Sequence, residues 1–474
     1  MAFNTLQYAF FFVVVFLLYW STARFAKIGR LILLIASLIF YASWRREYLL
    51  LLLSTAAVDF FASALISKTE RVRVRKWVLA ASVVYNLGVL CLFKYLEFLI
   101  AQCEALEGLF HFQFPFEMPH LELVLPVGIS FFTFQSMSYT IDVYRKQIEP
   151  VESFPRYLLY VSFFPQLVAG PIVRAKDFLP QFEQQPKLSN EDAARAFLLI
   201  GVGLFKKMAL ADYLALNLVD RAFSMPAGFS SLEILASIYG YAVQIFCDFS
   251  GYSDVAIGSA LLLGFQFPKN FDQPYRARNL QDFWRRWHIS LSTWLRDNLY
   301  ISLGGNRKGR IRTYFNLILT MLLGGLWHGA GWNFILWGAL HGVGQAFQRV
   351  IHGLLKGKLL FPGRIGQALA IFLTFHFVCI AWVFFRCPDL NAAIDLFDRL
   401  ADLSFDVSHL NLALVLCLCL GFCFQFFPSS WFGKGCALLA RVHPLLQGLL
   451  IALVGLLLRY LAAADVVAFI YFQF

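Results

Sequence analysis

Apolar stretches long enough to cross a bilayer, about 20 residues, recur along nearly the whole chain. They fall at 6–22, 29–43, 48–67, 77–100, 122–141, 193–222, 231–263, 313–328, 331–350, 365–386, 409–428 and 447–464. Only 15% of the 474 residues are charged and 59% are hydrophobic, whereas a soluble domain carries about a quarter charged residues. A soluble chain of this length would divide into about two or three domains. The pattern here predicts one continuous bundle, a single membrane domain over 1–474. The expected fold class is all-α, a polytopic integral membrane protein with roughly 11–13 transmembrane or re-entrant helices.

Charge placement sets the expected topology. The first apolar run, Tyr8–Trp20, has no Lys or Arg before it, and Arg24, Lys27 and Arg30 follow it. A signal peptide has the reverse order, so this is read as a retained span with its N-terminus outside. KTERVRVRK (68–76) is expected on the cytoplasmic side. Counting from it puts Arg24–Arg30 inside and the Arg45–Glu47 turn outside. It also puts 101–121 outside, with Glu104, Glu107 and Glu117 and no Lys or Arg. The net charge of +11 therefore reads as positive-inside topology on a lipid bilayer, with no nucleic-acid partner. The run 157–172 contains FFPQLVAGP, whose two prolines and glycine break a helix. A re-entrant segment is expected there, because broken backbone at membrane depth must be covered by protein or line a cavity.

The residues with chemistry are few. DFWRRWHISLSTWLRDNLYISL (282–303) is too polar to span, and its spacing predicts an amphipathic helix with Trp284, Trp287, His288, Leu291 and Leu295 on one face. That face is either an interfacial aromatic belt or a surface dipping inward, so that His288 reaches a reaction chamber. A glycine-hinged basic loop, GGNRKGRIR (304–312), follows. The next span ends GGLWHGA, with His328 at membrane depth. A buried imidazole favours its neutral form, and a neutral imidazole near pH 7 can take a proton from a hydroxyl. The alternative is a structural histidine bonded to a backbone carbonyl. His341 and His376 read as packing residues. In CDFSGYSD (247–254), Asp248 and Asp254 lie mid-run; pairing with Lys or Arg is preferred over orienting a histidine or binding a cation. Cys417, Cys419 and Cys423 sit on an apolar helix with no ligand-like neighbours, so neither a disulfide nor a metal is expected. There is no phosphate-loop motif, no H-E-x-x-H and no G-x-S-x-G. Any transferred group must arrive already activated.

FWRRWHISLSTWLRDNLYISLGGNR (283–307), followed by LLGGLWHGAGWNFILWGALHG (322–342), resembles the membrane-bound O-acyltransferases, and within them the bacterial alginate O-acetyltransferase branch. LPVGISFFTFQSMSYTIDVYR (125–145), FFPQLVAGPIVR (163–174), CDFSGYSDVAIGSALLLGFQFPKNFDQPY (247–275) and FIYFQF (469–474) support the resemblance, which is densest over 125–345. Asn298 departs from it, standing where the branch often has Tyr after WLRD.

The resemblance implies helices around a central funnel, with His328 as the essential histidine and His288 as its motif partner. It implies a cytoplasmic thioester donor, acetyl-CoA or an acylated carrier, and an acceptor outside. Arg285, Arg286, Arg296, Arg307, Lys308, Arg310 and Arg312 are candidates for the donor's phosphates, or else they signal topology. His288, the indole N–H groups of Trp327 or Trp287, and Asn333 are candidates for stabilising the oxyanion. Tyr471, in the C-terminal aromatic tail 465–474, is either an acyl relay or an interfacial anchor. The glycines around His328 are read as room for a cavity. The implied function is O-acetylation of an extracytoplasmic polysaccharide (alginate, cellulose, another exopolysaccharide or peptidoglycan) from a bacterial inner membrane, completed by a periplasmic SGNH-type transferase. Alternatives are D-alanyl transfer toward teichoic acid, a secondary transporter and a non-catalytic scaffold. A transporter would carry repeats with matching broken helices, and none is found.

Overall fold

The computed structural model describes residues 1–111, 120, 121, 123–168, 170–356, 360–461 and 468–472. Glu117 and residues 465–467, 473 and 474 of the tail 465–474 lie outside the described residues. Among the described residues every regular element is helical. Tyr48–Lys68, Val72–Lys94, Ser231–Leu262 and Gly363–Arg386 are long and apolar enough to cross a membrane, and the pair Leu412–Phe426 and Ser430–Leu439, bent by 96°, makes up to five. Arg310–His328 and Trp332–Leu354, with 19 and 23 residues, are long enough but less apolar, and the remaining predicted runs form shorter or interrupted helices. Leu6–Ser21 has 16 residues and so spans about 24 Å, less than the roughly 30 Å hydrocarbon core.

The interruptions have local causes. The expected run 77–100 ends as a helix at Lys94 and restarts at Leu96. The run 122–141 becomes helical only at Ile129, after Gly128 at φ +75°. A side chain at Gly128 would also meet the Leu167 carbonyl oxygen at 2.5 Å. The 157–172 run breaks at Phe163 into Phe154–Ser162 and Phe164–Leu167, both largely buried. From Asn190 to Ser224 the helix is continuous but twice widens to π geometry, at Phe205–Ala211 and Ala215–Val219. The first widening carries Lys206 and Lys207 toward Ser231–Leu262. That approach depends on paired glycines, since a Cβ on Gly203 would lie 2.6 Å from the Gly251 carbonyl oxygen.

Ser231–Leu262 is the central helix. It starts in a capping box between Ser230 and Glu233 and is buried along almost all of its length. Outer helices do the opposite: Phe10, Leu50, Phe61, Trp77, Val84 and Ile365 are all more than half exposed. Apolar surface on this scale is untenable in water and expected against lipid.

The ends of the helices separate into two faces. On one, Arg75 donates to the Tyr144 carbonyl at 2.7 Å, and Arg145 donates to Asn298 at 3.2 Å and Ser302 at 2.9 Å. This gathers the basic segments 68–76 and 296–312. On the other, Tyr95 donates to the Leu326 carbonyl at 2.7 Å, and Trp332 donates to Gln102 at 2.9 Å. This gathers the acidic 96–110 helix with the end of the His328 helix.

The expected single helix over 282–303 is not formed. Leu280–Arg286 and Ile289–Leu295 are separate short helices, followed by a π turn at Arg296–Tyr300. Trp287 is extended and His288 is left-handed, with φ 41°. The shared face predicted for Trp284, Trp287, His288, Leu291 and Leu295 therefore does not exist. Asn270 replaces the missing helical bonds: its carbonyl accepts from Ile289 N at 2.9 Å, and its side-chain oxygen accepts from Ser290 N at 3.2 Å and Ser290 Oγ at 2.9 Å.

Candidate active site

His328 is the last residue of the helix Arg310–His328, whose terminal carbonyls have no partners within the helix. Three of them are capped from the Val72–Lys94 helix and its end. Tyr95 takes Leu326, and the Lys94 ammonium donates to Trp327 O at 2.8 Å and His328 O at 2.7 Å. A cation at a helix C-terminus also complements the macrodipole. The His328 ring is buried among Trp327 (4.9 Å between centroids), Trp337 (5.0 Å) and Phe385 (5.1 Å).

The left-handed backbone of His288 turns its imidazole into the same region. Left-handed geometry is uncommon for a residue other than glycine and is held here by surrounding structure. The ring lies 4.6 Å from Phe249 and 6.4 Å from Trp327. Its tautomer follows from its partners. The Asn270 side-chain atom that accepts from Ser290 N–H must be the amide oxygen, and His288 Nδ1 lies 3.3 Å from that atom. Nδ1 therefore carries the proton and Nε2 presents its lone pair, buried and with no protein partner among the described residues.

The third member comes from the far end of the sequence. Tyr471, in the short turn Ile470–Phe472, places its ring 5.5 Å from His328, 6.4 Å from His288 and 4.4 Å from Phe249. Lys94, Ile129, Phe131, Trp327, His328 and Tyr471 are among the residues lining one pocket, at the Lys94 end of the Val72–Lys94 helix.

The remaining candidates fall elsewhere. Trp327 lies between the two histidines with its indole N–H buried and unpartnered among the described residues. Asn333 commits its amide N–H to the Cys387 carbonyl at 2.8 Å. Trp287 packs against Phe271 at 5.1 Å and Trp382 at 5.0 Å, and does not line the pocket. Arg286 pairs with Asp282 at 2.8 Å and Arg296 with Asp297 at 2.7 Å. Arg285, Arg307, Lys308, Arg310 and Arg312 are exposed. His341 accepts from Trp284 Nε1 at 3.3 Å, and His376 bonds the Phe372 carbonyl at 2.8 Å. The mid-run carboxylates find cations: Asp254 pairs with Lys206, while Asp248 and Asp212 both pair with Lys207, at 2.8 and 2.7 Å.

The glycines do not open a cavity. A Cβ on Gly325 would lie 2.3 Å from the Phe334 carbonyl oxygen, on Gly338 2.4 Å from that of Met321, and on Gly329 2.1 Å from the Phe334 ring. Gly325 and Gly338 let Arg310–His328 and Trp332–Leu354 touch backbone to backbone, the usual role of small residues between membrane helices, and Gly329 makes way for the Phe334 ring.

Lys94 and Asn270 were missed by sequence reasoning. Lys94 reads there as a lone cation near the end of a span, and Asn270 as one polar residue in a loop. Their roles exist only across contacts far apart in the chain.

A family model described as MBOAT, membrane-bound O-acyltransferase family, matches residues 129–387. The chain is 40% identical to the probable alginate O-acetylase AlgI of Pseudomonas aeruginosa, over 87% of this chain and 77% of that protein. It is 37% identical to the peptidoglycan O-acetyltransferase of Helicobacter pylori, over 86% of this chain and 81% of that protein. It is 30% identical to the teichoic acid D-alanyltransferase of Bacillus subtilis, over 57% of this chain and 71% of that protein. The chain belongs to the membrane-bound O-acyltransferase family. It is a multi-pass membrane enzyme that transfers an acyl group from an acyl donor.

Proposed function

We propose that this enzyme moves an acetyl group from acetyl-CoA, on the cytoplasmic side of a bacterial inner membrane, to the far side for O-acetylation of a polysaccharide. The observation that carries this reading is the meeting of the His288, His328 and Tyr471 rings in one buried cluster, between a basic face and a pocket at the Lys94 end of the Val72–Lys94 helix. Positive-inside bias makes the basic face cytoplasmic, so a donor thioester arrives from the side of Arg296–Arg312. The named relatives act on alginate and peptidoglycan, and an acceptor of that kind lies outside.

In this scheme His328 takes the proton from the Tyr471 hydroxyl as the phenolic oxygen attacks the thioester carbonyl. The carbon–sulfur bond breaks, and the proton passes to the leaving thiolate. The indole N–H of Trp327, unpartnered among the described residues and carried by a residue that lines the pocket, is the donor assigned to the developing oxyanion. His288 holds Nε2 toward the chamber from its bond to Asn270. The acetyl ester on Tyr471 then faces the pocket, where an SGNH-type periplasmic transferase delivers it to polymer. Exposed Arg285, Arg307 and Lys308, with Arg286 and Arg296 at the edges of ion pairs, would bind the donor's phosphates on the way in. The whole chain works as one domain, with the chemistry concentrated in 125–345 and the 465–474 tail.

D-alanyl transfer from a carrier protein is the second reading, motivated by the teichoic acid D-alanyltransferase relatives. Membranes supplied with labelled acetyl-CoA or with a D-alanyl carrier protein decide between donors. His328→Ala at unchanged protein level should abolish transfer; a scaffold would tolerate it, and retained polymer acetylation would reject the catalytic reading. Tyr471→Phe should also stop transfer while leaving the protein folded, and full acetylation by that variant would remove the relay.

A further inference from the structure

The buried cluster Lys207–Asp212–Asp248 has more charge than its own pairing requires. The neighbouring pair, Lys206 with Asp254, matches one cation to one carboxylate. Lys207, 2% exposed, faces two carboxylates, Asp212 and Asp248. Buried ions are costly unless paired and fully hydrogen-bonded, and ionisable groups at membrane depth are retained for function more often than for stability. The additional carboxylate here has a use. Asp248 spends Oδ1 on Lys207 and receives the backbone N–H of Ile470 on Oδ2 at 2.7 Å. Lys207 in turn reaches the Ala468 carbonyl at 3.5 Å. Both polar contacts run from the core to the backbone of the segment just before Tyr471.

We infer that Asp248 and Lys207 form a clasp that seats the 468–472 segment and thereby sets Tyr471 beside His328. They are positioning residues for the proposed relay, and this inference rests on that reading. The clasp fixes backbone atoms, so it fixes register: a shift of one residue would move the aromatic ring off the chamber. Packing fills in around it. Phe469 stacks on Tyr252 at 4.3 Å and Ile470 is 1% exposed. The π widening at Phe205–Ala211 and the Gly203–Gly251 contact bring Lys207 within reach.

Hydrogen–deuterium exchange on the purified full chain in lipid nanodiscs tests this, read by mass spectrometry over 468–472 and over Ser231–Leu262. Asp248→Asn leaves Lys207 and Asp212 as a balanced pair. Its amide can offer oxygen to only one of the two donors that Asp248 serves. Exchange at Ile470 should then rise about 10- to 100-fold, the range for losing a hydrogen bond to a charged group, with Ser231–Leu262 unchanged. Asp254→Asn, which disturbs only the neighbouring pair, should leave 468–472 as in the parent. Ile470→Pro removes the N–H from the segment's side and leaves Asp248 and Lys207 unaltered, and should raise exchange at Tyr471 and Phe472. In activity assays Asp248→Asn should lower kcat while the KM for acetyl-CoA stays put. Parent-like protection of 468–472 in both Asp248→Asn and Ile470→Pro would overturn the clasp. So would equal loosening by Asp254→Asn, or loosening spread through Ser231–Leu262. If Tyr471→Phe retains full transfer while Asp248→Asn frees the segment, the relay falls and the clasp stands. If Tyr471→Phe is inactive and the segment stays protected, the clasp falls and the relay stands.

Discussion

Gly338→Ala puts a single methyl group where two helices touch. The added Cβ would lie 2.4 Å from the Met321 carbonyl oxygen, where ordinary contact begins at 3.4 Å, a deficit of about 1 Å. The Leu322 Cα would also be at 3.1 Å. Both opposing groups are backbone, so no side chain can rotate away and the helices themselves must separate. Overpacking of this kind costs about 1–3 kcal/mol. The functional effect should be larger than the stability effect, because Arg310–His328 carries the histidine at its end. A misplacement of about 1 Å can cost about 100-fold in rate. Labelled acetyl transfer in membranes, normalised to protein level, should therefore fall about 10- to 100-fold, while thermal unfolding in detergent shifts only modestly. Gly88→Ala is the matched control, since a Cβ there meets nothing within 4 Å and should be neutral or slightly stabilising. Parent-like activity and stability in Gly338→Ala would refute the claim that backbone contact at this glycine positions His328.

Lys94→Met should leave the Trp327 and His328 carbonyls unpartnered, lowering stability by about 1–3 kcal/mol and reducing transfer, as read by thermal unfolding and the membrane assay. Tyr95→Phe, which removes one neutral hydrogen bond, should cost only about 1 kcal/mol. Arg174→Met strips Asp142 of its ion-pair partner at 3.7 Å and Asp297 of one of its two, at 2.9 Å, leaving it Arg296. Because the Asp142 side chain is fully buried, a loss of about 3–5 kcal/mol is expected, and adding Asp142→Leu should recover much of it. Trp327→Phe keeps an aromatic ring but deletes the N–H and part of the buried indole; a stability loss of about 1–3 kcal/mol is expected, while transfer at matched folded protein should fall about 100- to 1,000-fold, and unchanged transfer would exclude this indole as the oxyanion donor.

Much of the bundle was legible because lipid imposes one strong rule, apolar residues over a spanning length, and helices at Leu6–Ser21, Tyr48–Lys68, Ser231–Leu262 and Gly363–Arg386 begin and end close to where that rule puts them. The broken Phe154–Leu167 stretch was legible for the converse reason, its prolines. What periodicity could not reveal was a break without a proline or glycine. His288 is left-handed because Asn270, eighteen positions upstream, supplies the bonds that a continuous helix would have made. The glycines near His328 were misread since a glycine that makes room and one that permits contact look identical in sequence; only Met321 and Phe334 across the interface tell them apart. Asp248 was legible as a paired carboxylate, but its second partner is a backbone amide 222 residues away.

The most direct test is to locate the acetyl group on the enzyme. Purified protein is mixed with labelled acetyl-CoA, quenched before any acceptor is added, and digested for mass spectrometry. Label on the peptide containing Tyr471, absent in Tyr471→Phe and in His328→Ala and lost when polymer and the proposed SGNH-type transferase are added before the quench, is the predicted result. Turnover of polymer acetylation by the parent enzyme with no label on Tyr471, or full turnover by Tyr471→Phe, would contradict it.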